Sequence, residues 1–171
     1  KINIIKWVPM LIKILESNKI KKIIDKDNNE EFMDYVSYVG FWKKYYDTRF
    51  IDEKPIKIRA TTNLIFRIKY YYENFVKDTF ADYIGGSGYC AMIMAYDALL
   101  DCDGYWEKLI FYAMLHPGDS DTVGSIAGGL YGAVYGYGDV PEKMLCCIEM
   151  KEKLIKMGKK FYNKYFKNQE S

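Results

Sequence analysis

Apolar residues recur at three- and four-residue spacing along almost the whole chain, and no alternating run of strand length interrupts them. That period sets apolar side chains along one stripe of a helix, whereas a half-buried strand needs a period of two. In the opening run KINIIKWVPMLIKIL, Ile4, Ile5, Val8, Leu11, Ile12 and Leu15 fall on one helix face. After a break at Asp27-Asn28-Asn29, EEFMDYVSYVGFWKKYYDTRF predicts a long helix with Phe32, Tyr35, Val36, Val39 and Trp42 on one side. IDEKPIKIRATTN reads as a loop, and LIFRIKYYYENFVKDTFADYI resumes the helical period through Ile65, Ile68, Tyr72, Phe75, Val76 and Phe80. GGSGYC is a glycine-rich break, AMIMAYDALLDC a short apolar helix, and Asp103-Gly104 a turn. YWEKLIFYAMLH is a helix stopped by Pro117-Gly118. A turn around Gly138 and Pro141 precedes a last amphipathic helix, EMKEKLIKMGKKFYNKYF. The expected class is all-α, an orthogonal multi-helix bundle forming a single domain over residues 1–171.

Length and charge narrow the function classes. A chain of 171 residues builds one domain with a real core and is short for two. The net charge of +2 and the presence of only three arginines (Arg49, Arg59, Arg67) leave no basic footprint for nucleic acid. The lysines read as solvated helix faces. Cys90, Cys102, Cys146 and Cys147 show no CxxC spacing, and there is one histidine, which argues against a thiolate zinc site. Reduced thiols in a cytoplasmic protein are the simplest expectation. Lys6, Pro9 and Lys13 break the opening run, so it is neither a membrane span nor a signal peptide, and no membrane partner is expected. A helix starting almost at Lys1, without an initiating methionine, leads to the expectation of a chain cut from something longer.

The densest chemistry lies in His116–Gly136, HPGDSDTVGSIAGGLYGAVYG. Asp119 or Asp121 can cap the helix that follows, its carboxylate accepting free backbone N–H groups. Gly124, Gly128, Gly132 and Gly136 fall on one stripe of that helix, which would let a neighbouring helix approach closely. Asp119, Ser120, Asp121 and Thr122 also offer six side-chain oxygens within four residues. Asp119, Asp121 and Thr122 can converge on one centre, and their hard oxygens suit a cation such as Mg2+.

This stretch resembles the C-terminal signature of the ADP-ribosylglycohydrolase family. With GGSGYCAMIMAYDALL before it and VPEKMLCCIEMKEKLIKMGKKFY after it, the resemblance is nearest the ADP-ribosylarginine hydrolase branch and is strongest from about Gly85 to Tyr162. It implies the C-terminal part of an all-α fold with two magnesium ions in a central cleft. The implied reaction is hydrolysis of the N-glycosidic bond between ADP-ribose and a modified arginine side chain, so ADP-ribose or an ADP-ribosylated protein is the expected partner. By position, Asp119, Asp121 and Thr122 match metal ligands, with Ser120 and His116 behind them. The loop Gly85, Gly86, Ser87, Gly88 with Tyr89 matches a loop beside the ADP-ribose cleft, where N–H groups at a helix start suit a diphosphate. Tyr83 and Tyr89 flank it as candidates to stack on adenine. Relatives carry a polar His/Asn-Asp pair where this chain has Tyr89-Cys90. Asp97 reads either as an acceptor behind the site or as a capped or salt-bridged surface carboxylate.

Two magnesium ions need more oxygens than these three residues supply. The family's early Thr-Asp-Asp motif has no counterpart here, since DKDNNEE lacks the hydroxyl and RATTN lacks carboxylates. The expectation is therefore half of a metal site, little or no activity in the isolated chain, a requirement for the N-terminal half, and no catalytic acid or base assigned. The alternative is a catalytically inactive relative that acts as an ADP-ribose-binding or protein-interaction module.

Overall fold

Helix α1 (Trp7–Leu15) follows a single 3-10 turn at Ile4–Lys6, whose start is capped by the Asn3 side chain. Pro9 sits in the first turn of α1, where its missing N–H has no intrahelical acceptor to lose. Ser17 caps the short α2 (Asn18–Ile23). Helix α3 (Asn29–Arg49) ends in a two-residue antiparallel hairpin, β1 (Phe50–Ile51) and β2 (Lys54–Pro55). Helices α4 (Leu64–Phe75), α5 (Gly88–Asp101), α6 (Trp106–Met114), α7 (Ser120–Tyr135), α8 (Glu142–Cys146) and α9 (Lys151–Tyr165) complete the chain. The computed structural model describes residues 2–24, 29–56, 63–79 and 81–166. The all-α expectation holds among them. Asp27, Asn28, Arg59 and Phe80, used in the sequence reading, lie outside the described residues.

The chain divides into two compact units, 1–138 and 139–171. In the first, α5 is the central element: it packs on α7, α6, α3 and α4, and ten of its side chains are buried. Helix α7 is held on α5 and α6 through Val123, Ala127 and Tyr131, one residue every four, which is one face of a helix. Val39, Trp42, Tyr45, Tyr71, Phe75 and Leu99 join them in the core. The second unit comprises α8 and α9.

Four local expectations are corrected. The loop after α3 begins with the β1–β2 hairpin, its turn made by Asp52 and Glu53 at φ 50° and 61°, the handedness that two-residue hairpin turns require. Helix α4 stops at Phe75 and not beyond residue 80, with Asp78 left-handed after it. Phe75 and the following Val76 are buried as expected and Ile68 is half-buried, but Ile65 and Tyr72 face solvent, and Arg67 and Tyr71 complete the buried face with Phe75. The glycine stripe of α7 is not a uniform contact either. A side chain at Gly124 would meet Met114 at 2.8 Å and one at Gly128 would reach Trp106 only at 3.8 Å, but nothing lies within 4 Å at Gly132 or Gly136. The helix sinks by its Val123–Ala127–Tyr131 face, and the glycines run beside it.

Upstream, Val39 and Trp42 of α3 are buried as expected, whereas Phe32 and Val36 line an open groove of about 740 Å3 with Ile24 and Tyr35.

Candidate functional site

The residues singled out in sequence lie in two segments, 85–89 and 116–122, and the fold brings these together. Gly118 and Ile84 touch: a Cβ on Gly118 would fall on the Ile84 carbonyl oxygen. The next amide, Asp119 N–H, donates to that same carbonyl at 3.0 Å. Gly85 stands at φ 77°, a conformation that L side chains avoid, and a Cβ there would meet Val123 Cγ2 at 2.9 Å and the Asp119 carbonyl oxygen at 3.1 Å. Two glycines thus let two chain segments touch at backbone distance. Side chains at either position would separate the glycine loop from the acidic turn.

Each segment is fixed by its own caps. Ser87 Oγ accepts from the Cys90 amide at 3.3 Å, which starts α5 at Gly88. Cys90 is buried and its Sγ accepts from Gly85 N–H at 3.3 Å. Burial pushes this thiol up to about 11, only partly offset by the Gly85 N–H, so it is an inert anchor for the loop. In the second segment the His116 ring braces the Pro117-Gly118 turn: Gly118 N–H donates to Nδ1 at 3.2 Å, and Nε2 lies 3.0 Å from the Ala113 carbonyl. An accepting Nδ1 places the proton on Nε2, which donates to Ala113. Burial holds the imidazole below its usual range, against the Ala113 hydrogen bond and the Asp119 charge.

Asp119 is the N-cap of α7, accepting from Thr122 N–H at 3.2 Å, while Asp121 and Thr122 are exposed in the first turn. The Thr122 hydroxyl and then Asp121 hold the Asp119 carboxyl below its usual range, with the Thr122 amide and His116 adding to the effect. The three side chains therefore lie within reach of one another on a single helix turn, and Ser120 is the first helical residue between them. This is a set of hard, anionic and hydroxyl oxygens at the positive end of a sixteen-residue helix. The donor chemistry fits a divalent cation such as Mg2+ as part of its shell. Among the described residues no group of three or more His, Cys, Asp or Glu surrounds one point.

The other side of the glycine loop lines a cleft of about 580 Å3. Gly86, Ser87, Gly88, Tyr83 and Tyr89 form one wall, and Asp34, Asp78 and Asp82 contribute carboxylates to the rest. Asp119, Asp121 and Thr122 do not line it. Tyr89 stacks on Phe41 with centroids 3.9 Å apart and donates to the Phe75 carbonyl at 3.1 Å, so one ring face is covered. Tyr83 lies over Gly86 and is half exposed.

The largest polar feature was not anticipated as a unit. Asp97 is buried rather than at the surface: its Oδ1 accepts from Arg49 Nε at 2.7 Å and Tyr45 OH at 2.5 Å. Its Oδ2 accepts from Arg67 Nη2 and Tyr71 OH, both at 2.5 Å. Asp101, one turn later, takes Arg49 Nη2 at 2.9 Å and Arg67 Nη1 at 2.8 Å. Arg67 also lies 4.4 Å from the Tyr112 ring centroid, and Arg49 donates to the Ile56 carbonyl. Burial alone would raise the Asp97 carboxyl, but Arg67, Arg49 and the two tyrosine hydroxyls hold it down at about 2. Asp101 is pushed the other way, by burial and by the Asp97 charge, against the pull of Arg49 and Arg67. The signal in sequence is Asp97 and Asp101 at i, i+4 in an otherwise apolar helix, in a chain with three arginines among twenty-five basic residues.

An all-α frame thus presses a glycine loop against a GDSDT turn, setting an oxygen cluster at a helix start beside the backbone of that loop. The family model for ADP-ribosylglycohydrolase matches residues 21–171, and the chain belongs to that family. It is 42% identical over 139 residues to a protein of Acanthamoeba polyphaga mimivirus provisionally named an ADP-ribosyl glycohydrolase, covering 79% of this chain and 27% of that one. It is 31% identical over 162 residues to the ADP-ribosylhydrolase ARH1 of Dictyostelium discoideum, covering 85% of this chain and 41% of the relative. The chain thus spans between about a quarter and two-fifths of the length of these relatives. No solved structure matches it.

Proposed function

We propose that this chain takes part in magnesium-dependent removal of ADP-ribose from modified arginine side chains, supplying Asp119, Asp121 and Thr122 as one wall of the metal site. The observation that carries the reading is the backbone contact between Gly85 and Asp119, which joins the loop and the oxygen cluster in one place. Magnesium bound there would supply Lewis-acid assistance to attack of water on the anomeric carbon. The chain's own part is positional: His116 and Gly118 fix the turn, the Asp119 cap aligns the first turn of α7, and Cys90 holds Gly85 beneath it. Arginine as the acceptor rests on the resemblance to the ADP-ribosylarginine hydrolase branch, since the cleft with Asp34, Asp78 and Asp82 is not lined by the oxygen cluster.

Calorimetry with ADP-ribose tests the site without depending on turnover. Binding is expected in Mg2+, lost on chelation, and lost in Asp119→Ala and Asp121→Ala with helicity retained. Mg2+-independent binding that survives both substitutions would sink the metal-wall reading. One observation favours the second reading, a non-catalytic ADP-ribose-binding module: position 90, where the family resemblance leads one to expect an aspartate, holds a buried thiol with a raised pKa. Release of ADP-ribose from arginine-modified protein by this chain, abolished in Asp121→Ala, would exclude the module.

A further inference from the structure

Residues 85–89 start α5 with little side chain to hold them. Three of the five are glycines, and Ser87 Oγ accepts from the Cys90 amide of the same helix. Gly88, the first helical residue, has nothing within 4 Å of where a Cβ would stand. A helix start of this kind frays, because its first amides have no intrahelical acceptors and glycine weakens the turn. The loop just before it must nevertheless stay in place for Ile84 to accept from Asp119 N–H and for Gly85 to lie against Asp119.

Tyr89 is the residue of this segment whose side chain reaches other helices. Its ring lies parallel to Phe41 of α3, with 9° between the planes and 3.9 Å between centroids. Its hydroxyl donates at 3.1 Å to the carbonyl of Phe75, the last residue of α4. A carbonyl in the last turn has no following helical amide to accept from, so this bond satisfies a group that the helix end leaves open. Phe41 and Phe75 also meet edge to face, with centroids 6.2 Å apart. One side chain thus pins α5, one residue past Gly88, to α3 and α4 together. Further along α5, Asp97 and Asp101 seat on the same two helices.

A tyrosine that stacks on a nucleotide needs a free ring face and room to follow the base. At Tyr89 the hydroxyl is held by main chain, one ring face is covered and the residue is half-buried. Tyr83, 52% exposed, is the freer ring beside the cleft. We propose that Tyr89 is a positioning residue: it clamps the first turn of α5 on Phe41 and Phe75, and through Ser87 and Cys90 it sets the glycine loop against the acidic turn. Its bearing on ADP-ribose binding rests on the function proposed above, whereas its bearing on the loop does not.

Amide hydrogen exchange followed by NMR on the full 171-residue chain, without ligand, tests this. The Asp119 amide reads the contact, and the Ala127 amide, on the buried face of the same helix, reads global opening. Tyr89→Leu keeps an apolar side chain but neither ring nor hydroxyl. In it Asp119 should exchange at least about ten-fold faster while Ala127 changes by no more than about three-fold. Tyr89→Phe keeps the stack, so Asp119 should exchange only about three-fold faster than in the wild type. ADP-ribose affinity in Mg2+, measured by calorimetry, should fall in the same order. Unchanged Asp119 exchange in Tyr89→Leu would overturn the proposal, as would an equal rise at Ala127, which is what a merely structural side chain produces. Lost ADP-ribose affinity in Tyr89→Leu with ligand-free exchange at the wild-type rate would make Tyr89 a contact of the nucleotide and overturn it too. Because the exchange is read without ligand, it decides the placement of the loop even where the wild-type chain fails to bind ADP-ribose, a failure that counts against the metal-wall reading alone.

Discussion

Replacing Asp97 with asparagine should remove a large part of the stability of the 1–138 unit. The carboxylate accepts four hydrogen bonds, two on each oxygen, from Arg49, Tyr45, Arg67 and Tyr71. An asparagine fills the same space, but its nitrogen can only donate, so on one side two donors would face a third. The charge is lost as well, leaving Arg49 and Arg67 at 0% and 1% exposure facing Asp101 alone of the two carboxylates on α5. Removing one partner of a buried ion pair costs about 3–5 kcal/mol, because the surviving charge stays desolvated. Against a total of about 5–15 kcal/mol for a typical domain, that is a loss equilibrium unfolding resolves easily.

Urea unfolding followed by circular dichroism and by tryptophan fluorescence gives the measurement. Trp42 lies 6.1 Å from the Tyr45 ring and reports locally. Glu73→Gln is the control, since the Lys69–Glu73 pair is solvent-exposed and its removal should leave the midpoint close to where it was. A loss of less than about 1 kcal/mol for Asp97→Asn would refute the claim that the buried cluster organises the core around α5.

Three further outcomes follow from the geometry. Gly118→Ala should cost about 1–3 kcal/mol and part the loop from the turn, because its Cβ collides with the Ile84 carbonyl; an unchanged urea midpoint would contradict this. Gly132→Ala, with open space around it in mid-helix, should instead stabilise by roughly 0.5–1 kcal/mol, whereas destabilisation would restore the close-packed stripe. His116 is the only histidine, so one ring-proton titration in chelator reads it directly, and its midpoint should fall below 6.5. A depressed folded pKa means stability present above about 6.5 and lost as pH falls through the folded value. Asp119→Asn should lower that midpoint further, by removing a charge that favours the imidazolium, and a rise would reverse the sign of the argument.

Local signals were legible and long-range pairings were not. The period of three and four residues located most of the helices. Asp103-Gly104, both left-handed, forms the expected turn between α5 and α6, and Asp119 does cap α7. What the period misplaces is part of the inward face of α4, since an apolar count assigns Arg67 to solvent. Arg67 turns inward because two carboxylates on α5 wait for it, a pairing thirty or more residues away that no local window contains. The GDSDT cluster was legible from residue types alone. Its contact with Gly85 was not, because the structural partner is a main-chain carbonyl, Ile84, whose side chain carries no hint of the role.

The two polar features of the first unit meet through α5. Near its C-terminal end, Asp97 and Asp101 tie the helix to α3 and α4; at its N-terminal end, Ser87 and Cys90 fix the loop that presses on Asp119. Fourteen residues of α-helix span about 21 Å, and a helix buried along most of its length moves as a body rather than by bending. A change at Asp97 therefore reaches the acidic turn through the placement of α5, without any contact between Asp97 and the oxygen cluster. The expensive ion cluster is hard to explain as a source of stability alone, because well-packed apolar residues would serve that end at least as well. It makes more sense as register: α5 has one way to seat its two carboxylates on two arginines, and that one seat is the one that holds Gly85 against Asp119.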